Sequence, residues 1–193
     1  MKKIRFLLGI LIMGMFIGSC SNDKSFKVKG KLRNASGAML FLKELTISDV
    51  KTIDSVIVDN DGSFVLKGIN NKIAFYSLGT DKKNTLTLVI KPGDKLFVEA
   101  DAKEMQNEYE VKGSYESQLV KELTVKLNET LEKINQLGKT FHDSIGSKNF
   151  VKIKADLDSA YKIIEEEQKR FSINFIRKNQ GTLASVMALY QQM

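Results

Sequence analysis

From Phe26 to about Val111 apolar and polar residues alternate, and from Val120 onward apolar residues recur every seventh position; the change of period falls near Gly113. Period two sends successive side chains to opposite faces of a strand, whereas steps of three, four and seven line one face of a helix. Strands followed by helices predict an α+β chain. The expected architecture is an antiparallel β-sandwich or barrel-like module over 26–113, then an antiparallel helical hairpin and a terminal helix over 114–193.

Within the first part, Phe26, Val28, Gly30 and Leu32 alternate with Lys27, Lys29, Lys31 and Arg33, which predicts a strand with one wet, cationic face. Asn34-Ala35-Ser36-Gly37 is a turn, and Met39 to Lys43 suits the next strand, so a hairpin is expected there. A second hairpin is expected where Thr52–Val58 and Gly62–Leu66 flank Asp59-Asn60-Asp61-Gly62. Ile73–Leu78, Thr85–Ile90 and Leu96–Ala100 are further β-rich runs, the last two joined by Lys91-Pro92-Gly93-Asp94, a turn holding the only proline. Phe26, Phe41, Phe64, Phe75 and Phe97 read as alternating core residues.

In the second part Val120, Leu127, Ile134 and Phe141, flanked by Leu123, Leu131 and Leu137, make one apolar stripe on a long helix that Gly138 weakens near its end. Phe150, Leu157, Ile164 and Phe171 repeat the spacing with Ile153, Ala160, Tyr161 and Phe175, so a second helix is expected to lie antiparallel on the first across a loop near Gly146. Gly181 ends that helix and Thr182 caps a third, whose apolar face is read as Leu183, Val186, Met187 and Tyr190. No later sequence remains to cover that face, which predicts a protein partner or a homodimer there.

The first 20 residues carry an address. Lys2, Lys3 and Arg5 precede an apolar run from Phe6 to Ile17, then Gly18, Ser19 and Cys20, the only cysteine. The run is too short to span a bilayer, which takes roughly 20 apolar residues. Its end resembles a bacterial lipobox. Residues 1–19 are therefore expected to be a lipoprotein signal peptide, cleaved before Cys20, with Cys20 attached to lipid through its sulfur and acylated on its amine. Residues 20–25 would form a lipidated tether reaching at most about 17 Å. Two or three acyl chains hold a protein on a bilayer far longer than one, at about 0.8 kcal/mol per buried methylene. The expected site is the cell envelope. Ser21 after the cysteine is compatible with the outer membrane, and the face remains open.

A thioether-linked Cys20 has no thiolate for exchange, metal ligation or attack, so thiol chemistry is excluded. The chain has 30 Lys and Arg against 23 Asp and Glu; removing Lys2, Lys3 and Arg5 leaves 27 against 23, a net charge of +4. Neither side of Gly113 carries the surplus, and the interleaved charges read as a solvated surface. Nucleic acid is not an expected partner.

Other candidates give way to plainer readings. His142 and Asp143 are neighbours on the first helix, but adjacent helical residues point about 100° apart and cannot face each other as a base and its orienting acid. Asp59, Asp61 and Gly62 start like a calcium loop, yet the twelfth position, where a bidentate Glu belongs, is Asn70. Glu165, Glu166 and Glu167 fan around a helix and fit ion pairs four residues apart with Lys162, Lys169 and Arg170. Glycines lie singly, so no phosphate loop or dinucleotide fingerprint is present. No cofactor or metal is expected, and Cys20 is the one site residue.

Phe26-Lys27-Val28-Lys29-Gly30-Lys31-Leu32, Leu40-Phe41-Leu42, Asp54-Ser55-Val56, Asp61-Gly62-Ser63-Phe64 and Lys67-Gly68 together resemble an N-terminal domain of unknown function. That domain precedes a thioredoxin-like thiol-disulfide oxidoreductase domain in envelope lipoproteins. Val111-Lys112-Gly113-Ser114 and the helical segment after it are similar to that family's connector. The family's redox domain carries a Trp-Cys-x-x-Cys-type motif, whereas this chain has no tryptophan and no cysteine beyond Cys20. No catalytic residue carries over.

The expected function is non-catalytic: a membrane-anchored spacer or interaction module. One rival is the front part of a thiol-disulfide oxidoreductase whose catalytic domain is lost or separately encoded. Another is a lipoprotein whose sheet binds a peptide or glycan, which would require exposed aromatics converging on one face.

Overall fold

The computed structural model describes residues 24–81, 84–107 and 109–191. Eight strands precede three helices: β1 (Ser25–Arg33), β2 (Met39–Leu45), β3 (Val50–Ile57), β4 (Ser63–Ile69), β5 (Ala74–Gly79), β6 (Thr85–Ile90), β7 (Lys95–Asp101), β8 (Tyr109–Lys112), α1 (Tyr115–Ser144), α2 (Phe150–Lys178) and α3 (Leu183–Tyr190). The strands form two four-stranded sheets, sheet A in the order β4-β1-β7-β8 and sheet B in the order β3-β2-β5-β6. The architecture is α+β, as the change of period predicts.

The inner faces carry the expected alternation. Phe26, Val28 and Leu32 of β1 meet Phe64 and Leu66 of β4 and Leu96, Val98 and Ala100 of β7 in a core that sheet B closes with Leu40, Leu42, Tyr76, Leu78, Leu86, Leu88 and Ile90. Burying a leucine fully contributes about 1.5–3 kcal/mol. These rows are the main cohesion of the module. The rings of Phe26 and Tyr76 meet edge-on across the sheets, 5.2 Å apart.

Strand pairing departs from the sequence reading in three places. The Asn34–Gly37 turn does not make a hairpin, because β1 lies in sheet A and β2 in sheet B. Ala35 plugs into the core there. The Asp59–Gly62 turn likewise carries the chain from β3 in sheet B to β4 in sheet A. A turn signal records that the chain reverses, and four residues cover the roughly 10 Å between packed sheets as readily as they link neighbours within one. Third, β1 and β7 pair in parallel, with Val28 opposite Leu96 and Leu32 opposite Ala100. The remaining pairings are antiparallel.

Gly30 sits on that parallel seam, where an added Cβ would collide with the Val98 carbonyl. The Lys91–Asp94 turn forms as read: Asp94 N donates to Lys91 O at 3.2 Å, and the Asp94 carboxylate accepts from Lys91 N at 3.0 Å. Only Phe26 and Phe64 of the five phenylalanines are fully buried. Phe41, Phe75 and Phe97 take the opposite parity of their strands and face outward. Phe75 is then covered by the helices, in a second core formed by Val89, Leu119, Val120, Leu123, Phe175, Ala184 and Ala188. The boundary near Gly113 thus separates strand from helix, while this second core spans both.

Helix α1 is N-capped by Ser114, whose hydroxyl accepts from Ser117 N. It runs through Gly138 without a break and stops at Ser144, before Gly146 at φ +83°. Helix α2 lies antiparallel on it: Tyr115 bonds Asn179, Lys133 pairs with Glu167, and the rings of Phe141 and Phe150 meet at the far end. Burial along the stripe fades with distance from the sheets. Val120 and Leu123 are fully covered, but Leu131 is 46% exposed, because beyond the sandwich two helices have no third layer.

Helix α3 buries a face other than the one the spacing predicts and leaves large apolar residues exposed. Thr182 caps it, and it folds back on α1 and α2 with Ala184, Ser185 and Ala188 inward and Leu183 and Met187 packed at the sides. Val186 and Tyr190, assigned to the apolar face, are exposed instead. Small residues let the short helix lie close, and the large ones are left outside.

Candidate functional site

Cys20, the residue expected to carry lipid, lies outside the described residues, as does the leader before it. The described residues begin at Lys24, and β1 at Ser25.

The other sequence candidates do not come together. His142 and Asp143 are exposed in the last turn of α1. Asp59 accepts from the Ser63 hydroxyl at 3.0 Å and Asp61 from the Ser63 amide at 3.0 Å, so both carboxylates are engaged in the turn itself. The Ser63 bonds hold the Asp61 carboxyl below its ordinary 3.8. Asn70, the twelfth position of the imagined calcium loop, is buried and donates to Ile90 O at 3.1 Å. Among the described residues no three His, Cys, Asp or Glu side chains cluster in a way that could hold a metal ion. Glu167 reaches across to Lys133 at 3.3 Å and Glu166 lies 3.9 Å from Lys169, in place of the pairs four residues apart that the sequence suggested.

Two shallow grooves mark the surface. One runs along α1 beside Asn107, lined by Val125, Asn128, Leu131 and Glu132; the other lies between the Asn34 and Asp61 turns. Neither encloses a set of converging catalytic groups. The tyrosine of β8, Tyr109, is buried in the sandwich core, and burial pushes its phenol far above the usual range.

The outer face of sheet A holds an arrangement that the linear sequence conceals. Register partners on adjacent strands share a face. Lys27 of β1 stands between Lys67 of β4 and Lys95 of β7, making a row of three lysines. In the next row Lys29 stands between Val65 and Phe97, and Phe97 is opposite Lys112 of β8. Five lysines from four strands therefore share two rows with no acid among them. The following rows carry the acids: Glu99 lies between Lys31 and Glu110, and Asp101 beside Arg33. Glu110 pairs with Lys121 at 2.6 Å, and the Lys121 ammonium is the main cause that lowers its carboxyl. The alternation in β1 predicts its cationic face, while along the chain as a whole the charges are interleaved. Only the register of β4, β7 and β8 gathers them.

The family model for a domain of unknown function (DUF4369) matches residues 26–120, from β1 into the first turns of α1. Among solved structures, (S)-allantoin synthase is similar at 13% identity over 48% of this chain and 45% of that one, with a TM-score of 0.33, too low to establish a shared fold. No curated protein matches the chain.

Proposed function

We propose that the protein is a non-catalytic lipoprotein of the cell envelope, acylated on Cys20, whose β module forms a base and whose helices form an interaction arm. The observation that carries this reading is the course of α1. Ser117 bonds Val89, Lys121 pairs with Glu110 and Asn128 bonds Asn107, so the helix follows the sandwich from the end near the tether to the opposite end. From Asn128 to Ser144 it then runs about 24 Å further, at 1.5 Å per residue, with only α2 beside it. An arm of that length leading away from the tether suits a spacer. The exposed apolar residues at its tip, Ile145 and Val151, and Leu189 and Tyr190 on α3, are the surfaces a protein partner or second copy would use.

Among the described residues no helix is long and apolar enough to cross a membrane, which is compatible with attachment through Cys20. The test is mass spectrometry of the naturally processed protein. A diacylated or triacylated N-terminal Cys20 peptide, carrying palmitate-length chains, and a soluble Cys20→Ser protein are the expected results. An unmodified thiol would refute the reading.

The rival reading, the front part of a thiol-disulfide oxidoreductase, draws on the sequence resemblance of the β module and connector. It predicts a redox partner co-purifying with the protein. A peptide- or glycan-binding sheet has less support: Phe41 and Phe97 face outward from opposite sheets and do not converge.

A further inference from the structure

We propose that the lysine-rich end of the outer face of sheet A docks on anionic phospholipid headgroups of the membrane to which Cys20 tethers the chain. This deepens the lipoprotein reading, since Cys20 supplies the tether, but the surface is defined independently of it.

Three observations converge. Lys27, Lys29, Lys67, Lys95 and Lys112 occupy two adjacent rows, and among the described residues none of the five has an acidic partner within ion-pair distance. At the sheet edge the Asp54 carboxylate accepts from the Lys67 backbone amide at 2.8 Å and forms no ion pair with a lysine of the two rows. Neighbouring strands are about 4.8 Å apart, and like charges directly opposite destabilise a sheet. Three lysines in register are therefore unfavourable unless anions meet them.

The second observation is polarity along the strands. The acids of this face, Glu99, Glu110 and Asp101, lie at the far end, where Lys31, Arg33 and Lys121 balance them, so the unbalanced positive charge is confined to one end. Third, the lysine end is the tethered end. Lys27 is the third residue of β1, seven positions after Cys20, within about 24 Å of it even if the intervening chain is fully extended. Phe97 and Val65 stand between the lysines on the same face, able to rest at headgroup level while the ammonium groups meet phosphates. A single weak contact becomes effective when a tether holds it at high local concentration.

The test uses the mature chain, residues 20–193, with Cys20→Ser, so that no acyl chain contributes. All eleven elements lie within those bounds. Sedimentation with phosphatidylcholine vesicles containing phosphatidylglycerol is expected to carry the protein down, less so as salt rises, whereas phosphatidylcholine alone leaves it in solution. Lys29→Gln/Lys67→Gln/Lys95→Gln should weaken that binding about a hundredfold, at roughly fivefold per lysine near an anionic surface. The same three-charge change on the helical arm, Lys139→Gln/Lys148→Gln/Lys162→Gln, should leave it within about twofold, since those lysines lie on the arm and outside the two rows. Without vesicles the sheet variant should melt at a higher temperature in low salt, because repulsion is relieved; this also shows that it folds.

Equal binding to both vesicle types, equal losses in the two variants, or tighter capture by a soluble acidic polysaccharide that vesicles fail to displace would each overturn the proposal. An unmodified Cys20 in the natural protein would instead remove the tether reading and leave the vesicle result standing.

Discussion

The hydroxyl oxygen of Ser117 lies 2.9 Å from both the amide nitrogen and the carbonyl oxygen of Val89. Val89 is on β6, the last strand of sheet B, and Ser117 is in the first turn of α1. The Ser114 hydroxyl adds a 2.7 Å bond to the same carbonyl. An edge strand leaves half its backbone groups without a neighbour, and here the entering helix supplies them. Ser117→Ala leaves the buried Val89 N–H without a partner while Ser114 still serves the carbonyl. The expected cost is about 1–3 kcal/mol, read as a lower urea midpoint and faster exchange of the Val89 amide. An unchanged midpoint would show that the hydroxyl is dispensable.

Two glycines should respond in opposite directions to alanine. A Cβ at Gly30 meets the Val98 carbonyl on the rigid β1–β7 seam, so Gly30→Ala should cost about 3 kcal/mol or more. Gly138 is exposed inside α1 with open space where a Cβ would go, so Gly138→Ala should gain about 1 kcal/mol from helix propensity. Thermal unfolding of the two variants side by side checks both signs.

What the sequence made legible was local. The alternation around Val28 and Leu32 identified a strand with one buried face, and the spacing of Val120 and Leu123 identified a helix face, because each depends only on neighbours in the chain. Partner choice is not local. Nothing near Asn34 or Asp59 records which sheet the following strand joins, so both turns read as hairpins. The same gap hid the lysine face: Lys27, Lys67 and Lys95 are far apart in sequence and become one row only through register. Leu131 shows a further limit, since helical spacing tells which side faces the partner helix but not whether a third layer covers it.

Acid should weaken the junction of β1 and β7. Asn34, at φ 58°, donates from its side chain to Asp101 at 2.7 Å, and that bond, with the Lys103 amide and the Arg33 guanidinium, holds the Asp101 carboxyl below its ordinary 3.8. A group whose pKa is depressed on folding contributes stability that is complete above its unfolded value and is lost as pH falls through the native one. Unfolding midpoints should therefore fall below about pH 4, where the unfolded acid begins to bind protons first. Asn34→Gly keeps the left-handed backbone but removes the donor. Its Asp101 should titrate closer to 3.8 by carboxyl NMR, and an unmoved titration would assign the shift to Arg33 and Lys103 alone.

The two halves of the helical arm should differ in local stability. Near the sheets Val120 and Leu123 of α1 pack with Val89, Phe175 and Ala184, so their amides should open only with global unfolding. Beyond Asn128 the contacts reduce to α2, and at the tip the Phe141 and Phe150 rings, 5.6 Å apart, are the largest of them. Val151 there is 83% exposed. Amides of residues 134–160 should accordingly exchange through local opening, at free energies below the global value and insensitive to Gly30→Ala. Phe141→Ala should lower those local values further, by about 1 kcal/mol for the lost ring contact, while the urea midpoint of the whole protein barely moves. A midpoint falling in step with tip exchange would instead mean that sandwich and arm unfold as one cooperative unit.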